Sequence, residues 1–227
     1  MPTIAIIPAR GGSKRIPQKN VRDFCGQPMI SYPIKTAIES GLFSRVFVST
    51  DSVEIAKIAQ GYGAEVPFLR SAQASSDTAT TQEAIVEMLQ KLEISDDAEI
   101  CCIYPCTPLI TSKLIVSTHR NFVSDVSKYL FTATKFSHPV QRGFEISDGA
   151  VGSDVPQSDV RTQDMQEYFH DAGQLYWATG KVWRSKAKII DTGTRIELVS
   201  ASEAVDIDSE QDWLLAELIF RGKQMER

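Results

Sequence analysis

The stretch Ile4-Ala5-Ile6-Ile7-Pro8-Ala9-Arg10-Gly11-Gly12-Ser13-Lys14-Arg15-Ile16-Pro17-Gln18-Lys19-Asn20 decides how this chain is read. Its first four residues are an unbroken apolar run, the pattern of a short buried strand. Gly11 and Gly12 then free the backbone for a close approach to a ligand. Arg10, Lys14, Arg15, Lys19 and Arg22 crowd one segment, with no acidic residue before Asp23, although the whole chain carries a formal charge of −5. Cations gathered on one loop of an acidic protein imply a small polyanionic ligand, because backbone N–H groups with Lys and Arg make a phosphate cradle. A solvated basic turn is the simpler alternative. The place of the glycines just after a strand, where open α/β sheets bind ligands, argues against it. The segment contains neither Gly-x-x-x-x-Gly-Lys-Ser/Thr nor Gly-x-Gly-x-x-Gly, so it is neither a P-loop nor a dinucleotide fingerprint.

Composition sets the outer bounds. A chain of 227 residues can bury a full α/β core in one domain, with room for a small excursion. The acidic balance argues against nucleic acid as a main partner. No apolar stretch approaches the length of a membrane-spanning helix, so no membrane association is expected. The N-terminal run ends at Pro8 and lacks a basic leader, which makes it a core strand and not a signal peptide. Cys25, Cys101, Cys102 and Cys106 fit no zinc spacing, and Cys101 and Cys102 lie in an apolar run as buried, reduced thiols. A cytoplasmic protein without disulfides is the expectation. His119, His138 and His170 show no ligand spacing and are expected to be structural or on the surface.

Taken in order, the chain alternates strands and helices. Ile30, Ile34, Ala37 and Ile38 recur at helical spacing between Met29 and Ser40, and Gly41 is placed to stop that helix. Residues 44–50 read as a second strand, Asp51 and Ser52 as caps, and 53–60 as a helix. Residues 63–70 read as a short strand, 75–81 as a polar loop, and 82–92 as a helix. Residues 99–104 read as a central strand, followed by a loop stiffened by Pro105 and Pro108. A helix over 114–122 and a strand over 129–134 follow. Periodicity then weakens from Lys135 to Ala172, too long a stretch for an ordinary connection. Residues 170–177 and 196–199 read as further strands, and Ser209 can cap a final helix through Phe220. This rhythm predicts a parallel, doubly wound sheet. Asp206-Ile207-Asp208 puts two carboxylates on one face, which repel unless a helix N-terminus or a cation offsets them.

Ile7 to Lys14, followed by Lys19-Asn20, resembles the signature of the cytidylyltransferases that activate acidic sugars. The resemblance continues through Arg70, Asp77-Thr78, residues 104–109 and Asp206-Ile207-Asp208, so it spans nearly the whole chain. It implies a Rossmann-like nucleotide-diphospho-sugar transferase fold over residues 1–227, with a mostly parallel sheet and helices on both faces. It further implies that CTP and a nonulosonic acid combine to give a CMP-sugar and pyrophosphate. The CTP-binding positions carried over are Ala9, Arg10, Gly11, Ser13, Lys14, Lys19, Asn20, Arg70, Ala79 and Thr81; the catalytic ones are Arg10, Lys19 and Asp208. Next to a nucleotide loop, the expected occupant of the Asp206–Asp208 pair is Mg²⁺.

On the sugar side the resemblance points to Tyr104, Arg161 and Tyr176. Sialic acid synthetases usually carry Gln where this chain has Tyr104, so sialic acid itself is placed in doubt. Arg161 has a planar fork suited to a sugar carboxylate, or to a rim salt bridge. Residues 135–172 correspond to a dimerisation arm, so a homodimer is expected. The run His170 to Trp177 resembles that of the pseudaminic acid enzymes, and Phe144, Phe169, Tyr176 and Trp177 are expected to add aromatic surface to the sugar pocket. Sialic and legionaminic acids are the alternative sugars, and a non-catalytic nucleotide-binding protein is the alternative function.

Overall fold

The computed structural model describes residues 1–13, 15–126, 128–152 and 160–225. In chain order the elements are β1 (Thr3–Pro8), β2 (Asp23–Phe24), β3 (Gln27–Pro28), α1 (Ser31–Glu39), β4 (Arg45–Ser49), α2 (Val53–Gly61) and α3 (Thr81–Lys91). They continue with β5 (Glu99–Ile103), α4 (Ser112–Val123), β6 (Leu130–Lys135), β7 (Ile146–Ser147), β8 (Ala150–Val151), β9 (Phe169–Thr179), α5 (Gly180–Ser185), β10 (Arg195–Leu198) and α6 (Glu210–Met225).

Six strands form one sheet in the order β10-β6-β9-β5-β1-β4. The pairs β1–β4, β1–β5 and β6–β10 are parallel, while β9 runs antiparallel to both its neighbours. The apolar run in β1 is continuous because both faces of the sheet are covered. Ala5 and Ile7 pack under α1, α2 and α4 with Val46, Val48, Ile34 and Ile115. Ile4 and Ile6 pack on the opposite face with Ile85, Met88 and Leu89 of α3 and Trp183 of α5. Caps set the helix starts: Ser52 Oγ accepts from Ile55 N at 3.3 Å, and Thr80 with Glu83 completes a capping box at α3.

A third, smaller core joins distant parts of the chain. Ile16, Phe24 and Met29 pack against Ile207, Trp213 and Ala216. Phe24 meets Trp213 and Tyr32 edge-on, each with ring centroids 5.5 Å apart. This cluster seats α6 beneath the basic loop and fixes where residues 206–208 lie.

Several expectations are corrected. Residues 63–70 form no strand. Phe47 and Glu65 make a single parallel bridge, and Pro67 then offers no N–H to extend it. The final helix runs to Met225, past Phe220. Helix α5, capped by Thr179 Oγ1 accepting from Val182 N at 3.3 Å, was not anticipated, nor was the antiparallel sense of β9. Among its described residues the stretch 135–172 has the hairpin β7–β8 and two short helical turns, its last residues already belong to β9, and 153–159 lie outside the described residues. The four cysteines are free thiols, with Cys101 and Cys102 buried. His119 is structural, its Nε2 lying 2.7 Å from Glu99 Oε2. No helix among the described residues is long and apolar enough to cross a membrane.

Candidate functional site

From β1 the chain crosses to β4 on one side, and later returns to β5 on the other. The crevice at the carboxyl ends of β1 and β5 is therefore a topological switch point. A cavity of about 200 Å³ opens there. The basic loop leaving β1 supplies Pro8, Arg10, Ser13, Arg15, Lys19 and Asn20; the loop after β5 supplies Tyr104, Pro105 and Cys106; Gly173 and Asp206 complete the wall.

The basic loop is tied down by its own backbone and by Asn20. Ala9 N donates to Ser49 O, and Gly11 N donates to Asp51 Oδ1, both at 2.8 Å. Asn20 Nδ2 donates to Arg10 O at 2.9 Å, and Cys106 Sγ donates to Asn20 Oδ1 at 3.3 Å. A Cβ on Gly11 would sit 3.1 Å from Ser52 Cβ. That glycine therefore serves the close approach of the loop to the start of α2. Burial pushes the Cys106 thiol up to about 12, against the opposing pull of Lys19, so it stays protonated.

Charges of both signs meet in the cavity. Lys19 Nζ lies 3.5 Å from Asp208 Oδ1, Arg15 also pairs with Asp208, and Arg10 Nη1 lies 3.5 Å from Asp77 Oδ1. Removal from water and the Asp208 charge hold the Asp206 carboxyl above the usual aspartate range, with Lys19 and Arg15 opposing. Ile207 between the two carboxylates is buried in the small core, so the expected alternation places Asp206 and Asp208 on the loop side. Among the described residues no group of three or more His, Cys, Asp or Glu could hold a metal ion. Two aspartates suit Mg²⁺ when phosphates and water complete its shell, since that ion is held by one or two carboxylates plus substrate oxygens.

The structure thus brings Arg10, Ser13, Lys19, Asn20, Tyr104 and Asp206 to one cavity, with Ala9, Gly11 and Asp208 beside it. Thr81 joins through Tyr104, their hydroxyls 3.3 Å apart. Ala79 lies in the turn before α3, its N donating to Ser76 O at 3.1 Å. Lys14 lies outside the described residues. Other expected positions do not line this cavity. Arg70 does not line the cavity. Its guanidinium donates to Ser49 O and, at 3.1 Å, to Ser49 Oγ, and burial lowers its pKa. Tyr176 is only 2% exposed and stands behind Tyr104, ring centroids 5.0 Å apart. Trp177 is fully buried on the opposite face of the sheet, its Nε1 donating to Thr118 Oγ1 at 3.0 Å. Phe144 and Phe169 are exposed outside the cavity, as is Arg161. Gly173, Cys106 and Arg15 were not singled out as site residues. Arg15 carried the clearest signal, because it belongs to the same cationic run.

A cytidylyltransferase family model matches residues 4–147. The chain is 37% identical over 227 residues to a pseudaminic acid cytidylyltransferase of Campylobacter jejuni, covering 97% of each chain. It is 30% identical to a CMP-N,N'-diacetyllegionaminic acid synthase of Legionella pneumophila, covering 99% of this chain and 98% of that one. Among solved structures, a CMP:2-keto-3-deoxy-manno-octonic acid synthetase complexed with CTP matches with a TM-score of 0.74 at 16% identity, over 98% of this chain and 100% of the other. That likeness concerns the fold.

Proposed function

This chain belongs to the cytidylyltransferase family, and on that footing we propose that it joins CTP to pseudaminic acid, giving CMP-pseudaminic acid and pyrophosphate. The observation that carries the reading is the cavity at the β1/β5 switch point, where Arg10, Arg15 and Lys19 face Asp206 and Asp208. The sugar's anomeric hydroxyl attacks the α-phosphorus of CTP and gives up its proton to solvent, a new phosphorus–oxygen bond forms, and the bond to the departing pyrophosphate breaks. Negative charge grows on the phosphoryl oxygens, and Arg10 and Lys19 are fixed in advance to meet it. Asp206 and Asp208 hold Mg²⁺, which when bound supplies Lewis-acid polarisation of the phosphate oxygens. Arg15 and Lys19 share Asp208 and keep that carboxylate oriented toward the loop. Tyr104 and Pro105 form the wall met by the sugar.

The protein works as a homodimer through residues 135–172. Exposed Phe144, Ile146 and Val151 on this excursion support the reading, as does the position of Arg161 outside its own chain's cavity. In a dimer Arg161 reaches the partner's sugar carboxylate. The test is pyrophosphate release with CTP across purified nonulosonic acids. Pseudaminic acid gives the highest kcat/KM; faster turnover of legionaminic or sialic acid overturns the sugar assignment and leaves the reaction class standing.

A further inference from the structure

We propose that Asp171 is a positioning residue for the sugar wall of the cavity, acting through Tyr176 on Tyr104 and through Gly173 on the backbone beside Asp206. The inference rests on the reading of Tyr104 as the residue that meets the sugar.

The starting point is a break in the sheet. Strand β9 pairs Tyr176 with Phe131 and then Asp171 with Ala133, so two steps along β6 correspond to five along β9. Residues 172–175 thus bulge from the ladder with β6, at the point where β9 passes the cavity. Bulges next to active sites re-aim side chains, and they leave the extra residues unpaired in the ladder, with polar groups free for local partners. Asp171 supplies two local bonds here. Its Oδ1 accepts from Gly173 N at 2.8 Å, and its Oδ2 accepts from the Tyr176 hydroxyl at 2.8 Å. One carboxylate closes the bulge from within.

Each bond reaches a cavity residue. Gly173 adopts φ +63, and a Cβ there would lie 3.4 Å from the carboxylate carbon of Asp206. That distance is an ordinary contact, so it is the left-handed φ that favours glycine here, and the Gly173 backbone packs directly against the Asp206 carboxylate. Tyr176 is held between Phe131, stacked at 6.2 Å, and Tyr104, tilted at 47°. Tyr104 is fixed further by its N–H donating to Gln174 O at 2.8 Å, within the bulge, and by the contact of its hydroxyl with Thr81. The Tyr104 ring therefore rests on a tyrosine whose hydroxyl is anchored to Asp171. Burial, reinforced by the neighbouring Tyr104 and Asp171, keeps the Tyr176 hydroxyl protonated and a donor.

Two variants separate positioning from mere support. Tyr176→Phe removes one hydroxyl and leaves the Asp171–Gly173 bond. Asp171→Asn turns one of the two acceptor positions into an NH2 donor, so Gly173 N and the Tyr176 hydroxyl cannot both keep their partners where they stand. Pyrophosphate release is measured against sugar and CTP separately, with urea unfolding alongside. Losing a hydrogen bond to a charged group that orients a binding wall should raise the sugar KM about tenfold in each variant, with the CTP KM moving less than about twofold. The double variant should match the more affected single variant, since both act on one linkage. If either variant keeps the wild-type sugar KM, or if both KM values rise together, the inference is overturned. If Asp171→Asn does not fold, Tyr176→Phe decides alone. A wild type inert with every nonulosonic acid overturns the functional reading and this inference with it. An active wild type with unshifted variants overturns this inference only.

Discussion

Replacing Lys19 with alanine is the sharpest test of the proposed chemistry. The Lys19 side chain is 16% exposed, and its Nζ lies 3.5 Å from Asp208 Oδ1. At an effective dielectric of about 20, charges at that separation attract with roughly 5 kcal/mol of gross Coulomb energy, most of it offset by desolvation and screening at a partly exposed pair; the ammonium lines the cavity. Removing it does not strand Asp208, because Arg15 pairs with the same carboxylate. Nor does it disturb the buried Ile16 that roots the loop. The fold should therefore survive, and the loss should fall on the transition state. A preorganised cation aimed at developing charge contributes on the order of a hundredfold to a thousandfold in kcat, or about 3–4 kcal/mol. The assay is pyrophosphate release at saturating CTP and sugar, with circular dichroism and urea unfolding to establish that the variant is folded. A folded Lys19→Ala protein whose kcat stays within about fivefold of wild type would refute the role.

Asp206→Asn and Asp208→Asn should each raise the Mg²⁺ concentration needed for half-maximal activity at least about tenfold, since each removes one of the two carboxylate charges. A magnesium titration that overlays the wild type removes that residue from the site. Light scattering at micromolar concentration should report twice the monomer mass, and a monomer would reject the dimer and with it the role of Arg161. Trp213→Ala should cost roughly 3–5 kcal/mol, as expected for deleting a large buried aromatic, because Trp213 packs edge-on against Phe24 and beneath Arg22. A urea midpoint close to wild type would show that the small core is not what seats α6.

Much of the fold was legible because it was written locally. The run Ile4 to Ile7 is apolar at every position, as a strand covered on both faces requires, and it led directly to β1. Ser52, followed by a helical pattern, marked the start of α2, whereas Thr80, which forms the capping box of α3 with Glu83, lay inside what reads as a polar loop. What failed was long-range. Val66 and Phe68 alternate like a strand, but pairing depends on the neighbouring β4, and Pro67 breaks it. Helix α5 is too short to show a period. The antiparallel β9 is disguised by its bulge. In the site, Arg10, Lys19 and Asn20 were legible because they share one loop. Arg70 came from the resemblance alone, and its hydrogen bonds to Ser49, a residue 21 positions away, have no local sequence signal. Tyr176 and Trp177 are adjacent in a strand, so they point to opposite faces and could not both face one pocket.

The placement of the charges across the cavity follows from the small core. Arg15 and Lys19 meet Asp208, and Arg22 meets Glu210 at 2.6 Å, across more than 180 residues of sequence. Partly exposed ion pairs of this kind contribute little to stability, typically about 1 kcal/mol or less. They cannot be what brings the two segments together. The buried side chains of Ile16, Phe24, Met29, Ile207 and Trp213 do that, each contributing roughly 1.5–3 kcal/mol on burial. The consequence is functional. Because apolar packing fixes the geometry, Lys19 and Arg15 can exchange Asp208 for phosphate oxygens without loosening the fold. The loop that carries the cations is positioned by apolar side chains, so trading one anionic partner for another leaves its geometry in place, as a site that must bind, stabilise and release pyrophosphate requires.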